Sequence, residues 1–309
     1  MKKILTAISL LAMAFTANAQ RDMMLSQQFF SRLNINPAAT GNSDDIDLFL
    51  LGRWQWTNVE DAPKSGVLNV SDYFEGIRSG IGLSMLYDDI GISNRTYNCK
   101  AAYAYHVNLN ESMLLSMGLS AGIYYHYWNP EGHRLQDIEE YGRYTFPNEI
   151  DTHLYPDFDL GFELATPKLM FGGSVSHLTN NEEDVTTGKP GRHMYSYVRG
   201  LFPISSSFDI APAIVYMHRN KVDKVELNAM LFYKSMLWGG VTYRPDVNAE
   251  WSSNDLTFQV GIEWSQFRFG YSFELGLGEV GKLSNNSHDI LLSWRIPKAK
   301  KEKYVRFME

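Results

Sequence analysis

The sequence predicts an all-β protein: a transmembrane antiparallel up-and-down β-barrel of about 14 strands. Three observations predict it. Apolar and polar residues alternate with a period of two from about residue 46 onward. Most of the alternating runs reach the ~9–11 residues that a tilted strand needs to cross a bilayer. The connections between them are tight and long by turns, the pattern of an outer-membrane barrel.

Residues 1–19 read as a secretory signal peptide. "MKK" is its basic start, "ILTAISLLAMAF" its apolar stretch, and Ala17-Asn18-Ala19 a small-x-small cleavage site. The apolar run is too short for a membrane-spanning helix, and the mature chain is expected to begin at Gln20. No cysteine stands directly after the cleavage site to carry a lipid. Cys99 is the only cysteine, so an internal disulfide is excluded.

Residues 20–45 form a segment ahead of the first strand, expected on the periplasmic side. Within it "NINPAATG" (Asn34 to Gly41) carries two turn signals, Asn36-Pro37 and Gly41. Three uses stay open for it: a plug or collar against the barrel base, a partner-docking edge, or a lead-in to strand one.

Residues 46–296 hold the barrel. The runs lie near 46–56, 65–74, 78–88, 95–109, 112–127, 156–165, 168–178, 193–203, 207–218, 223–234, 236–245, 255–265, 267–277 and 286–296. In "FRFGYSFEL", Phe267, Phe269, Tyr271, Phe273 and Leu275 oppose Arg268, Gly270, Ser272 and Glu274. In "TFQVGIEWS", Phe258, Val260, Ile262 and Trp264 oppose Gln259, Gly261 and Glu263. The charged face suits a wet lumen and the aromatic face suits lipid. Pro212 falls inside a run, where its missing N–H predicts a bulge or kink. "YYHYW" (Tyr124 to Trp128) is expected in an interfacial aromatic girdle.

Even-numbered runs end in tight turns, such as Asn110-Glu111, Thr166-Pro167 and Gln266, which predict the periplasmic end. Odd-numbered runs end in longer loops, the longest from Trp128 to Tyr155. The exception is the short connection from Arg219 to Val222. Residues 297–309 are a basic tail, expected in the periplasm.

Chemistry is sparse. Ser176-His177 and Ser287-His288 are adjacent strand residues expected on opposite faces, which removes a local nucleophile–base contact. The 128–155 loop carries His133, Asp137, Glu139, Glu140, Glu149, Asp151 and His153 without any metal-ligand spacing, and reads as an acidic solvated loop. Glycines within strands lack the helix that a phosphate loop needs. A net charge of -7 argues against nucleic-acid binding. No catalytic, cofactor or metal site is predicted.

"LSQQFFSRLNINPAATG" directly after the signal peptide resembles the N-terminal motif of the PorP/SprF family. "RWQWTNVEDAPKSGVLNVS", "GIGLSMLYDDIG", "AYAYHVNLNESMLLSMGLSAGI", "PDFDLGFELAT", "GGSVSHLT" and "SHDILLSW" resemble family segments in family order. The central acidic loop departs from any family pattern. The resemblance implies a non-enzymatic, integral outer-membrane component of the Bacteroidota type IX secretion system with both termini periplasmic. It would support secretion or surface attachment of cargo or adhesins, in some relatives linked to gliding motility. Its partners would be periplasmic and outer-membrane secretion components and the cargo itself. The candidate partner-binding residues are Asn34, Asn36, Pro37, Ala38 and Gly41, with Lys298, Lys300, Lys301 and Lys303 of the tail. A porin or solute transporter is the alternative reading.

Topology is testable at this level. Epitope tags inserted near Gly142 or Gly188 should be accessible on intact cells, and a tag after Glu309 only after permeabilisation. A surface-exposed C-terminal tag with both loops silent would invert the barrel.

Overall fold

The computed structural model describes residues 25–91, 93–129, 150–180, 187–219, 222–245, 253–277 and 286–298. Its strands are β1 (Ile46–Trp54), β2 (Lys64–Phe74), β3 (Ser79–Asp89), β4 (Asn94–Asn110), β5 (Met113–Trp128), β6 (Asp151–Ala165) and β7 (Leu169–Ser176). They continue as β8 (His193–Gly200, resumed at Phe202–Pro203), β9 (Phe208–Arg219), β10 (Val222–Tyr233), β11 (Leu237–Pro245), β12 (Ser253–Trp264), β13 (Phe267–Gly276) and β14 (Ser287–Ile296). Each strand pairs antiparallel with its neighbours in sequence, and β14 pairs with β1 from Ile46↔Ile296 to Trp54↔His288. The sheet is therefore a closed 14-strand barrel. No helix among the described residues is long and apolar enough to cross a membrane; the crossing elements are strands.

Closure follows from solvent. Lipid offers backbone N–H and C=O groups no partner, so a spanning sheet must pair both edges of every strand. The side-chain period of two then sorts residues between lipid and lumen. Phe258, Val260, Ile262 and Trp264 are exposed, while Thr257 and Gln259 at the alternate positions are buried. Phe269 and Tyr271 point outward, whereas Gly270, Ser272 and Glu274 face in. The molecule is thus apolar outside, and its buried set is rich in Arg, Asp, Glu, His, Asn and Ser. That arrangement fits hydrocarbon as the outer solvent.

Four expectations change. Strand β6 starts at Asp151, five residues before the predicted 156, because Thr152 and Leu154 continue the outward alternation and pair along β5 as far as Trp128. Asp151 and His153 therefore belong to the strand, joined at 2.9 Å, and the acidic loop is shorter than 128–155; its residues 130–149 lie outside the described ones.

Pro212 does not bend its own strand: β9 runs unbroken against β10, with Pro212↔Ala229 in register. The irregularity falls on the other side. Pairing between β8 and β9 stops at Ala213↔Arg199 and resumes at Ile210↔Phe202, a gap opposite the proline that cannot donate.

"YYHYW" splits by parity. Tyr124, His126 and Trp128 are buried, and only Tyr125 and Tyr127 belong to the outer face. The loop-end girdle instead includes the ring row Tyr87–Tyr97–Tyr125, with centroids 5.1 and 6.1 Å apart. A second aromatic group, including Phe74, Tyr105, Phe208, Tyr233, Trp264, Phe267 and Trp294, surrounds the tight-turn end.

Ser176 and His177 are both buried, because His177 takes φ 56 just past the end of β7 and swings back into the lumen. Its Nδ1 lies 2.9 Å from Asp157. Ser287 and His288 do separate: Ser287 is buried, and His288 meets Tyr271 at 2.7 Å on the outer face.

Depth on the outer face sets tolerance to charge. Val260→Arg, near the middle of β12, is expected to cost about 2–4 kcal/mol, against about 0–1 kcal/mol for Leu237→Arg at the tight-turn rim. Urea titration of barrels refolded in lipid vesicles measures both. Equal costs would contradict the assigned membrane depth.

Candidate functional site

The chain ahead of β1 enters the barrel. Residues 25–41 make three short 3-10 turns, Gln28–Phe30, Arg32–Asn34 and Pro37–Ala39, and nearly all of them are buried. The turns follow from local chemistry. Pro37 at the first position of the third turn has the fixed φ such a turn uses, and the Asn36 side chain caps it by accepting the Ala38 N–H at 2.9 Å. Thr40 Oγ donates back to the Pro37 carbonyl at 2.7 Å, and Gly41 leaves the turn at φ 67, where a side chain would be strained.

Partners of this plug come from nearly every side of the wall. The Ser26 N–H donates to Asp289 of β14 at 3.0 Å, and Gln259 of β12 donates to the Ser26 carbonyl at 2.9 Å. Asn69 of β2 donates to Ser31 and Asn34. Asn36 donates to the Phe162 carbonyl of β6 at 2.9 Å and to Tyr197 of β8 at 3.0 Å. His106 of β4 lies 3.0 Å from the Thr40 carbonyl. Only a segment inside the lumen can meet β2, β4, β6, β8, β12 and β14 at once.

Apolar contacts divide the lumen into three nests, each including at least one plug side chain, with Phe30 packed against two of them. Leu25 packs with Phe49, Leu51, Val67 and Leu291. Phe29 packs with Ala211, Ala213, Met230, Phe232 and Trp238. Ile35 packs with Leu114, Met170, Tyr197 and Val215. Burying side chains of this size contributes roughly 1.5–3 kcal/mol each, enough to hold a segment that has no sheet pairing of its own. The wall makes room where the plug passes closest. A Cβ at Gly118 would run into the Pro37–Ala38 backbone, and one at Gly161 into the Asn36 amide.

Charged side chains fix the plug's first residues. Arg53 binds Asp289 at 2.9 Å, also pairs with Glu274, and donates to Ser26 Oγ at 2.6 Å. Arg244 binds Glu226 and Glu274 at 2.9 Å each and donates to the Leu25 carbonyl at 2.6 Å. A second cluster, also in the long-loop half, has Lys100 bridging Asp157 at 3.2 Å and Asp159 at 2.8 Å. Pairing of this kind offsets much of the cost of burying these ions. Among the described residues, no group of three or more His, Cys, Asp or Glu side chains is arranged to hold a metal ion.

The predicted partner-binding residues separate accordingly. Asn36, Pro37, Ala38 and Gly41 are buried against the wall, and Asn34 is half-buried beside Asn69. Lys298 sits at the tight-turn rim, where its Nζ reaches the Tyr73 carbonyl at 2.7 Å and pairs with Asp72. Lys300, Lys301 and Lys303 lie outside the described residues. Sequence reading missed the wall's contribution: Arg53, Asn69, Glu163, Arg199, Arg244 and Gln259 all receive the plug or its neighbours. The signal available was the density of charge on the lumen face of the runs, which names no partner for it.

Comparison with known proteins gives a family and a fold. A family model described as "Type IX secretion system membrane protein PorP/SprF" matches residues 17–294. No curated protein sequence matches the chain. Among solved structures, the outer membrane protein Omp33 of Acinetobacter baumannii is 10% identical with a TM-score of 0.50, covering 83% of this chain and 100% of that one. The TodX deltaS2S3 mutant, a monoaromatic hydrocarbon channel, is 11% identical with a TM-score of 0.55, covering 86% and 94%. CymD, also a monoaromatic hydrocarbon channel, is 12% identical with a TM-score of 0.52, covering 89% and 93%. At these identities the likeness is one of fold, an outer-membrane barrel.

The seated plug predicts a barrel that conducts poorly. In planar bilayers the full chain should show little ion conductance, and deletion of residues 25–41 should raise it at least several-fold. Large channels from the full chain would mean that the plug leaves the lumen readily.

Proposed function

We infer the function from one premise: the chain belongs to the PorP/SprF family of type IX secretion system membrane proteins. It is an integral outer-membrane barrel. Its work is non-enzymatic support of protein secretion or of the surface attachment of cargo, adhesins included, through contacts with periplasmic components of the apparatus. The signal peptide, a Bacteroidota origin and a link to gliding motility belong to the same reading.

One observation carries the reading furthest. The conspicuous segment after the signal peptide fills the lumen instead of leaving it open, as seen in its bonds to β2, β4, β6, β8, β12 and β14. A barrel built around its own N-terminal segment is poorly suited to solute flow, which disfavours the porin or transporter alternative. What remains for it to do lies at its two ends. In this reading the tight-turn end, with Lys298 at its rim, faces the periplasm and meets the apparatus. Lys300, Lys301 and Lys303 extend that contact, and the long loops opposite face the cargo.

Deletion of the gene should impair delivery or surface retention of type IX cargo while outer-membrane permeability to small solutes stays near normal. Cargo in the culture medium and on the cell surface, with antibiotic uptake alongside, measures both. A deletion strain that secretes normally and loses uptake of a solute would favour the transporter instead.

A further inference from the structure

We propose that the tight-turn mouth of the barrel contains a receptor site for a carboxylate-bearing peptide side chain, centred on Arg199 beneath the plug. That the peptide belongs to a secretion partner rests on the functional reading above; the chemistry of the site rests on geometry.

A cavity of about 140 Å³ opens between the underside of the plug, Phe29 to Leu33, and inward residues of the wall. Its lining carries four guanidinium groups, those of Arg32, Arg199, Arg268 and Arg295, and a single carboxylate, Asp47. Three of the four have acidic partners just outside the lining. Arg32 meets Glu163 at 2.8 Å, Arg268 pairs with Glu263, and Arg295 lies 3.8 Å from the same Glu263.

Arg199 differs. It is 2% exposed, and no carboxylate of the described residues lies within salt-bridge distance of it. Its two terminal nitrogens donate to the Phe29 and Gln28 carbonyls, and its Nε has no hydrogen-bond partner among the described residues. Carbonyls orient a guanidinium without cancelling its charge. The rings of Phe29 and Tyr197, 5.0 and 5.3 Å from the guanidinium carbon, hold it in the same place. A buried cation so fixed, with an N–H to spare, is matched by an incoming oxyanion.

Three features select the ligand. The lining residues face the lumen, so a lipid headgroup outside the barrel has no route to them. The volume admits one acidic side chain and excludes anything as large as a nucleotide. Phe29, Phe30 and Phe49 in the lining offer apolar contact to the methylene stem of a glutamate. Phosphate shares the oxyanion chemistry without the stem, so the test separates the two.

Full-length protein in detergent micelles should bind a fluorescein-labelled hexapeptide of alternating Glu and Asp, read by anisotropy. The Gln/Asn counterpart should not bind, and added salt should weaken the acidic peptide. Losing one charge-assisted contact, as in Arg295→Gln at the cavity's more exposed edge, should reduce affinity about tenfold. Arg199→Lys, which keeps the charge and loses the fork, should also weaken binding. If Arg199 variants fail to give a heat-modifiable barrel, Arg295→Gln decides. Equal binding of both peptides, or unchanged affinity in Arg295→Gln, overturns the site. Displacement of the peptide by equimolar inorganic phosphate overturns the peptide assignment and leaves a small-anion site. A deletion strain that secretes normally would sink the secretion reading and leave this measurement standing. A failed titration beside a secretion defect does the reverse.

Discussion

Every feature of this protein traces back to the backbone's need for hydrogen-bond partners where the solvent has none. An open sheet in hydrocarbon would leave two rows of N–H and C=O groups unpaired, at several kcal/mol for each group. Pairing β14 with β1 over nine residues removes both edges. Closure then imposes the rest, because a closed sheet has an inside. Period-two alternation delivers to that inside whatever the lipid rejects, here a dense set of Arg, Asp, Glu, His and Asn side chains.

A lumen so charged must be either hydrated or internally satisfied, and this chain satisfies it. Arg53, Arg244, Glu274 and Asp289 form a network that is incomplete without the backbone of Leu25 and Ser26. The plug in turn lacks any sheet pairing and depends on the wall for its hydrogen bonds and for the apolar nests around Leu25, Phe29 and Ile35. Plug and barrel thus stabilise each other. Pairing of charges alone seldom yields much net stability in such settings; the apolar nests supply the gain, and the ion network supplies the register.

Functionally, this divides labour along the barrel axis. The middle is filled, and in the proposed function the work of this PorP/SprF-family membrane component falls to the ends. At the tight-turn rim Asp45, just before β1, accepts the Lys298 N–H at 3.3 Å, and Lys298 grips Asp72. Arg199 stands inside that rim, where the proposed ligand would touch plug and wall together.

By itself the sequence determined the barrel, its strand number and its in–out register, since each depends on local quantities: a period of two, run length and turn length. Strand limits were legible within a few residues except at β6, where the polar letters of Asp151 to Tyr155 resembled a loop although their spacing was that of a strand. The N-terminal motif was legible as an ordered turn through Asn36-Pro37 and Gly41. Its location was not, because Asn36 meets Tyr197 and the Phe162 carbonyl across gaps of 161 and 126 residues. Contacts so distant in sequence leave no periodicity to read. Nor could local rules foresee that His177 at φ 56 would turn back inward, or that Pro212 would interrupt its neighbour's pairing and not its own strand. Only barrel closure brings β2, β6, β8 and β13 around one short segment, and that convergence decided that the motif is a plug and that Arg199 lies beneath it with no carboxylate of the described residues in salt-bridge reach.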